Sequence, residues 1–224
     1  MMLAALALAG TLAAAQAPTV RLAAATDCPV NPNCVPGLKR VYGIDPGANL
    51  VKMPVADAGA QALDDGLAEV AIVFSSSPSL SRPDFLTLRD DKHMIGADHI
   101  VPIVRSSVLR RYGAPLRQRL NAASRLLDTL ALRGLNQQVI DGRLPEAVGG
   151  EFIDTNGLGG TGKRRPGPKI VVGYMSFDEN KTLAYMYAEA LRGAGFRVSV
   201  RGVGLRPQAV RAVKSWKPIT IRGP

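Results

Sequence analysis

The sequence predicts an α/β fold of parallel strands and crossover helices, and three observations carry that expectation. Short apolar runs alternate with helical stretches over residues 20–74, the pattern of right-handed β-α-β units. Glu69 to Phe74 (Glu-Val-Ala-Ile-Val-Phe) is almost continuously apolar, as a strand covered on both faces requires. The same alternation starts again at Lys169, after a stretch rich in Gly and Pro.

Taken in order, Val20–Ala25 reads as a buried strand and Gly37–Gly43 as a short helix after a Pro/Asn/Cys loop. Leu50–Val55 is a second strand, and Ala58–Gly66 a helix whose final Gly suits a C-cap. After the Glu69–Phe74 strand, Ser75-Ser76-Ser77-Pro78 supplies a turn. Phe85–Arg89 and Ile100–Arg105 are expected as two further strands, and Ser107–Arg111, Leu116–Leu127, Thr129–Asp141 and Pro145–Ile153 as helices. Asn156–Lys169 lacks apolar periodicity and reads as a linker. Beyond it come a strand at Ile170–Gly173, an amphipathic helix at Glu179–Gly193, a strand at Phe196–Arg201 and a helix at Pro207–Trp216.

With 224 residues, 46% of them hydrophobic, the chain can build one large core or two small ones. Charge is unevenly spread: residues 1–100 carry 7 basic and 10 acidic residues (net −3), and residues 101–224 carry 21 and 8 (net +13). A basic half raises the question of nucleic acid. Twenty of the 28 basic residues are Arg, scattered over helical segments without aromatic interleaving, zinc-finger spacing or a basic zipper, and so read as solvated helix faces.

Met1–Ala15, followed by Ala15-Gln16-Ala17, has the apolar run and small-residue site of a signal peptide but no preceding Lys or Arg; an ordinary Ala-rich helix fits equally. No Cys directly follows that run, which disfavours a lipid anchor. Cys28 and Cys34 frame Cys-Pro-Val-Asn-Pro-Asn-Cys, whose prolines and asparagines favour a turn. A small disulfide in an exported protein is preferred there to free thiols. A metal site would need further ligands, and no His lies nearby.

Several segments are similar to the substrate-binding proteins of osmoprotectant (glycine betaine/choline/carnitine) ABC importers. Gly37-Leu38-Lys39-Arg40-Val41-Tyr42-Gly43, Ala62-Leu63-Asp64-Asp65-Gly66 with Val70–Phe74, Leu86–Lys92, Ile100–Arg105 and Leu135–Val139 resemble motifs of the second half of that module, in family order. Ile170–Gly173, Phe177–Asn180 and Gly195–Val198 resemble its beginning. The resemblance thus implies periplasmic-binding-protein-like (type II) lobes in an incomplete or rearranged module. A possible signal segment (1–19) precedes a second half (20–155), a linker (156–168) and a truncated first part (169–224). A fragment of a tandem protein is preferred to a circular permutation, because modules are joined by such linkers.

The resemblance further implies two lobes closing on a quaternary ammonium, an ABC permease as partner, and an exported location, periplasmic or at the cell surface. It implies no catalysis, cofactor, metal or nucleic-acid partner. Such a ligand offers no proton at its charged nitrogen, so recognition rests on aromatic faces and shape. Phe74, Ser75 and Ser76 fall where the family places an aromatic and hydroxyl residues, although a Phe closing a buried strand reads equally as core. Asp98 and His99 replace a Tyr-Asn pair; Asp98 faces a cation or is simply an acid in a surface loop. Met175 stands where relatives contact the ligand carboxylate, and Asn180 where they carry Gln, or is a helix-start residue chosen for its side-chain acceptor.

Three alternatives compete. A non-functional fragment of such a protein is one, and a basic nucleic-acid-binding protein another. An enzyme would have to use His93 and His99 with Asp90, Asp91 and Asp98, yet no His-Glu-x-x-His or Gly-x-Ser-x-Gly supports it. Gly157–Lys163 has part of a phosphate-loop spacing, but Arg164 occupies the hydroxyl position and no helix follows, so it is not a nucleotide site.

Overall fold

The computed structural model describes residues 20–54, 58–96, 99–160 and 162–215. The expected signal segment, Asp98 and Trp216 lie outside the described residues. The chain forms two compact units, one of residues up to Val73 together with Asp91–Met94, the other of Phe74–Asp90 and the residues from Ile95 onward.

In the first unit, β1 (Leu22–Ala25) lies between β2 (Leu50–Met53) and β3 (Val70–Ala71), all parallel, with Leu22 opposite both Leu50 and Val70. Helix α1 (Val35–Tyr42) connects β1 to β2, and α2 (Ala58–Asp64) connects β2 to β3. The alternation of the sequence therefore becomes two β-α-β crossovers. Small residues keep this layer thin: Ala23 and Ala62 share one cluster with Ala68, and Ala24 packs with Cys28, Cys34 and Val35. The Cys28–Cys34 disulfide is formed, with its Cα atoms 5.1 Å apart. Pro36 follows in the first turn of α1, where its missing N–H costs nothing. Gly43 closes the helix in the left-handed conformation at φ 71°.

Arg21 and Glu69 fasten the entry to this sheet. The Arg21 amide donates to Glu69 Oε2 at 2.7 Å, and the guanidinium donates to Glu69 Oε1 at 2.5 Å and to the Gly66 carbonyl at 2.8 Å. The bonds from Arg21 to Glu69 hold the Glu69 carboxyl down at about 2, because each favours its ionised form.

In the second unit, helices α3 (Ser106–Ser124), α4 (Thr129–Ile140) and α5 (Pro145–Thr155) surround α6 (Asp178–Gly193). Strands β4 (Ile170–Met175) and β5 (Val198–Gly204) flank α6 in the chain and pair in parallel, and α7 (Arg206–Ser215) follows. Asp128 caps α4 by accepting the Ala131 amide at 2.7 Å. The core is shared across the whole unit. Leu116, Leu120, Leu132 and Ile153 meet Leu183, Met186, Tyr187, Leu191 and Phe196, and every one of them is buried. Tyr187 keeps its hydroxyl satisfied by pairing with Ser124 Oγ at 2.9 Å, as a buried phenol requires.

The close approach of α5 and α6 depends on Gly149. A β-carbon there would fall 2.3 Å from the Thr182 carbonyl oxygen and 2.8 Å from the Met186 nitrogen. The stretch expected as a linker has the irregular backbone its composition suggests, but it lies inside this unit. Arg165 donates through its amide to the Gly195 carbonyl at 2.9 Å and through Nε to the Ala194 carbonyl at 2.8 Å. Tyr112 of α3 donates its hydroxyl to the Pro168 carbonyl.

Some expected elements differ. Phe85–Arg89 and Ile100–Arg105 are irregular rather than strands. Leu86, Leu88, Val101 and Ile103 are exposed, and a strand without a paired neighbour has no ladder to hold it. The Glu69–Phe74 strand shortens to Val70–Ala71, with one further ladder bond from Ile72 N to Ala23 O at 2.9 Å, and both strand residues are half-buried rather than fully covered. The helices expected at Ser107–Arg111 and Leu116–Leu127 join into α3 across a kink at Gly113 (φ 59°, ψ −142°), where Pro115 also removes a donor.

Candidate ligand-binding site

Three of the predicted contacts, Phe74, Ser75 and Ser76, lie at one polar turn. Chain leaving β3 passes through Phe74 into a turn closed by the Ser77 amide donating to the Phe74 carbonyl at 2.9 Å. A 3-10 turn at Pro78–Ser81 follows, with the Ser77 and Ser79 hydroxyls 2.8 Å apart. Ser76 and Ser77 are buried, whereas Ser75 is exposed and Phe74 is 62% exposed. Phe74 is thus no core residue.

Helix α4 holds this turn from the side. Arg133 Nε donates to the Ser75 carbonyl at 2.8 Å, and Asn136 Nδ2 donates to the Ser76 carbonyl at 3.0 Å. The same Asn136 nitrogen donates to Glu179 Oε2 at 2.7 Å. An amide nitrogen has two protons, so Asn136 spends one on the turn and one on the first turn of α6. Residues over 100 positions apart in sequence are thereby tied to one side chain.

On the α6 side, Asn180 Oδ1 accepts the Met175 amide at 2.6 Å, which fastens the end of β4 to the helix start. Its acceptor is used as expected for a residue near a helix start, although the donor belongs to the preceding strand. Phe177, at the N-cap of α6, is 50% exposed. Of the predicted residues, Ser76 is linked to α6 through Asn136, and Met175 and Asn180 are bonded to each other. His99 is exposed, and among the described residues no hydrogen bond joins it to the others. Sequence reasoning missed Arg133, Asn136 and Glu179; the Leu135–Val139 motif, which contains Asn136, was the available signal.

Two open depressions also occur in this unit, of about 540 Å³ beside Asp154, Gly159 and Glu189 and about 410 Å³ beside Arg119, Arg125 and Arg165. Neither is lined by a predicted contact residue. Among the described residues no group of three His, Cys, Asp or Glu side chains is placed to hold a metal ion. No described helix is long and apolar enough to cross a membrane.

The family model for the substrate-binding domain of the ABC-type glycine betaine transport system matches residues 11–155, and the chain belongs to that family. Its class is the type II periplasmic-binding-protein-like α/β fold, here an incomplete form with a three-stranded and a two-stranded sheet. The family is one of non-catalytic binding domains that serve ABC transporters from the extracellular or periplasmic side. No curated protein matches the chain.

Proposed function

We propose that this chain binds a quaternary-ammonium osmoprotectant such as glycine betaine or choline and presents it to an ABC permease in the periplasm or at the cell surface. The observation that carries the reading is the exposed ring of Phe74 beside the turn that α4 pins. A methylated ammonium binds an aromatic face by electrostatic attraction, and a fixed turn limits the entropy lost when the ligand seats. In this reading Phe74 is the aromatic contact. Ser75, Ser76, Asp98, His99, Met175 and Asn180 complete the surround, and capture is accompanied by domain closure.

The segments 20–155 and 169–224 are read as the second half and the first part of one binding module. The core they share favours a permuted order over a tandem fragment, because α6 fills the space that α3, α4 and α5 surround.

Isothermal titration of the purified chain with glycine betaine, choline and carnitine tests the proposal. Saturable binding of at least one is expected, weakened about tenfold by Phe74→Ala. Absence of saturation with all three would rule it out. The basic second half motivates the nucleic-acid alternative; steep salt-dependent retention on DNA without osmolyte binding would favour that instead.

A further inference from the structure

We propose that the depression beside the C-terminal end of α6 binds a phosphate group through Arg119, Arg125 and Arg165, independently of the osmolyte site. Its volume is about 410 Å³, and these three arginines line it with Gln118 and no acidic residue. Backbone carbonyls fix two of them. Arg119 donates from Nε to the Ala190 carbonyl at 2.6 Å and from Nη2 to the Leu158 carbonyl. Arg165 donates from Nε to the Ala194 carbonyl at 2.8 Å, and its guanidinium lies 5.2 Å from the centroid of the Phe196 ring. Ala190 and Ala194 are four residues apart at the end of α6, so one helical turn positions both groups. Arg125, at the C-cap of α3, is exposed, and among the described residues its side chain makes no hydrogen bond or ion pair.

Carbonyl partners orient a guanidinium but leave its charge in place. The end of α6 contributes only about half a negative charge, which Arg119 and Arg165 more than offset. Three cations around one depression raise each other's energy, and a multiply charged anion relieves that repulsion. The remaining donors point to its class. Arg119 keeps Nη1, Arg165 keeps both terminal nitrogens and Arg125 keeps its whole fork. Donors from three separate side chains suit a tetrahedral phosphate, with three or more oxygens and a charge of about −1.5 to −2, better than a planar carboxylate with two oxygens. Because Arg119 and Arg165 are already anchored, little of their freedom is lost when the anion arrives. The site also gives a role to part of the net +13 of residues 101–224, which osmolyte binding leaves unused. A free phosphate and an anionic lipid headgroup share this chemistry, and the open depression admits either.

The test titrates the full chain with inorganic phosphate at constant ionic strength set by chloride, and sediments it with phosphatidylglycerol or phosphatidylcholine vesicles. Saturable binding of inorganic phosphate, or of phosphatidylglycerol vesicles in preference to phosphatidylcholine, is expected. Phosphate alone would mark a small-anion site, and binding to phosphatidylglycerol vesicles a headgroup site. Arg125→Gln should weaken whichever binding is seen by about fivefold, the upper end for one exposed charge pair. Arg110→Gln, which removes another exposed arginine of α3 that does not line the depression, should leave it unchanged. Phosphate should also raise the melting temperature of the wild type more than that of Arg125→Gln. Failure of both probes to bind beyond what chloride explains would overturn the site. So would Arg125→Gln binding no worse than Arg110→Gln, or retention on DNA that the two substitutions weaken equally, since either marks diffuse charge. If Arg125→Gln does not fold, Arg125→Glu against Arg110→Glu repeats the comparison, and the melting shift of the wild type in phosphate over chloride decides whether the site exists.

Discussion

Gly149 and Glu69 show how much depends on single side chains. At Gly149 the obstacle is the backbone of α6, which cannot swing aside as a flexible side chain would. Gly149→Ala should therefore destabilise the second unit by about 1–3 kcal/mol, the usual cost of overpacking, measured as a loss in the urea midpoint at unchanged slope. Glu69 makes a pH prediction. Its carboxyl is held from its ordinary 4.5 down to about 2 by Arg21. A depressed carboxyl stabilises the fold above its unfolded value and loses that contribution as pH falls through the folded one. Stability of the first unit should thus decline between about pH 4.5 and 2, less steeply in Glu69→Gln and in high salt. Thermal melts across that range, with and without 1 M salt, check it. The residue scale was also the hardest to read. Phe74 was visible as an aromatic at a strand end, but its exposure depends on β3 ending at Ala71. Arg133 looked like any other Arg on a solvated helix face, because sequence spacing does not reveal which helix faces a distant turn.

Elements were more legible than contacts. Helical periodicity marked α1, α4, α5 and α6 to within a few residues, since caps such as Asp128 and stops such as Gly43 act locally. The expected strands at Phe85–Arg89 and Ile100–Arg105 failed for a non-local reason: apolar alternation makes a strand possible, and only a partner makes it form. The irregularity of residues 156–168 was also legible, but their docking was not. Composition signals an absent helix, while the bonds from Arg165 to Ala194 and Gly195 depend on where α6 ends. The disulfide was anticipated from its turn-forming loop, and it makes an element-scale prediction. Its ring spans a sequence separation of 6 residues, so removing it should cost the first unit about 2 kcal/mol through loop-closure entropy. Cys28→Ser/Cys34→Ser should show faster amide exchange in β1 and α1 than the oxidised protein; equal protection would count against a stabilising role.

At the scale of the molecule, the second unit is a single core assembled from both sides of residues 156–168. Leu183, Met186, Tyr187, Leu191 and Phe196 are buried against side chains from α3, α4 and α5. Ending the chain after Thr155 would remove all five. Truncating one large core side chain typically costs about 2–5 kcal/mol, and a whole domain is stable by only about 5–15 kcal/mol. The truncated chain should thus lose the cooperative unfolding transition of this unit, and calorimetry would reveal any that survived. The same dependence sets a timetable for synthesis. Helices α3, α4 and α5 leave the ribosome before α6 exists, and at about 5–20 residues per second the roughly 40 residues from Asn156 to Phe196 take about 2–8 seconds to make. Throughout that interval the greasy sides of three finished helices have nothing of their own to cover them, which makes the nascent chain a natural client for a holding chaperone.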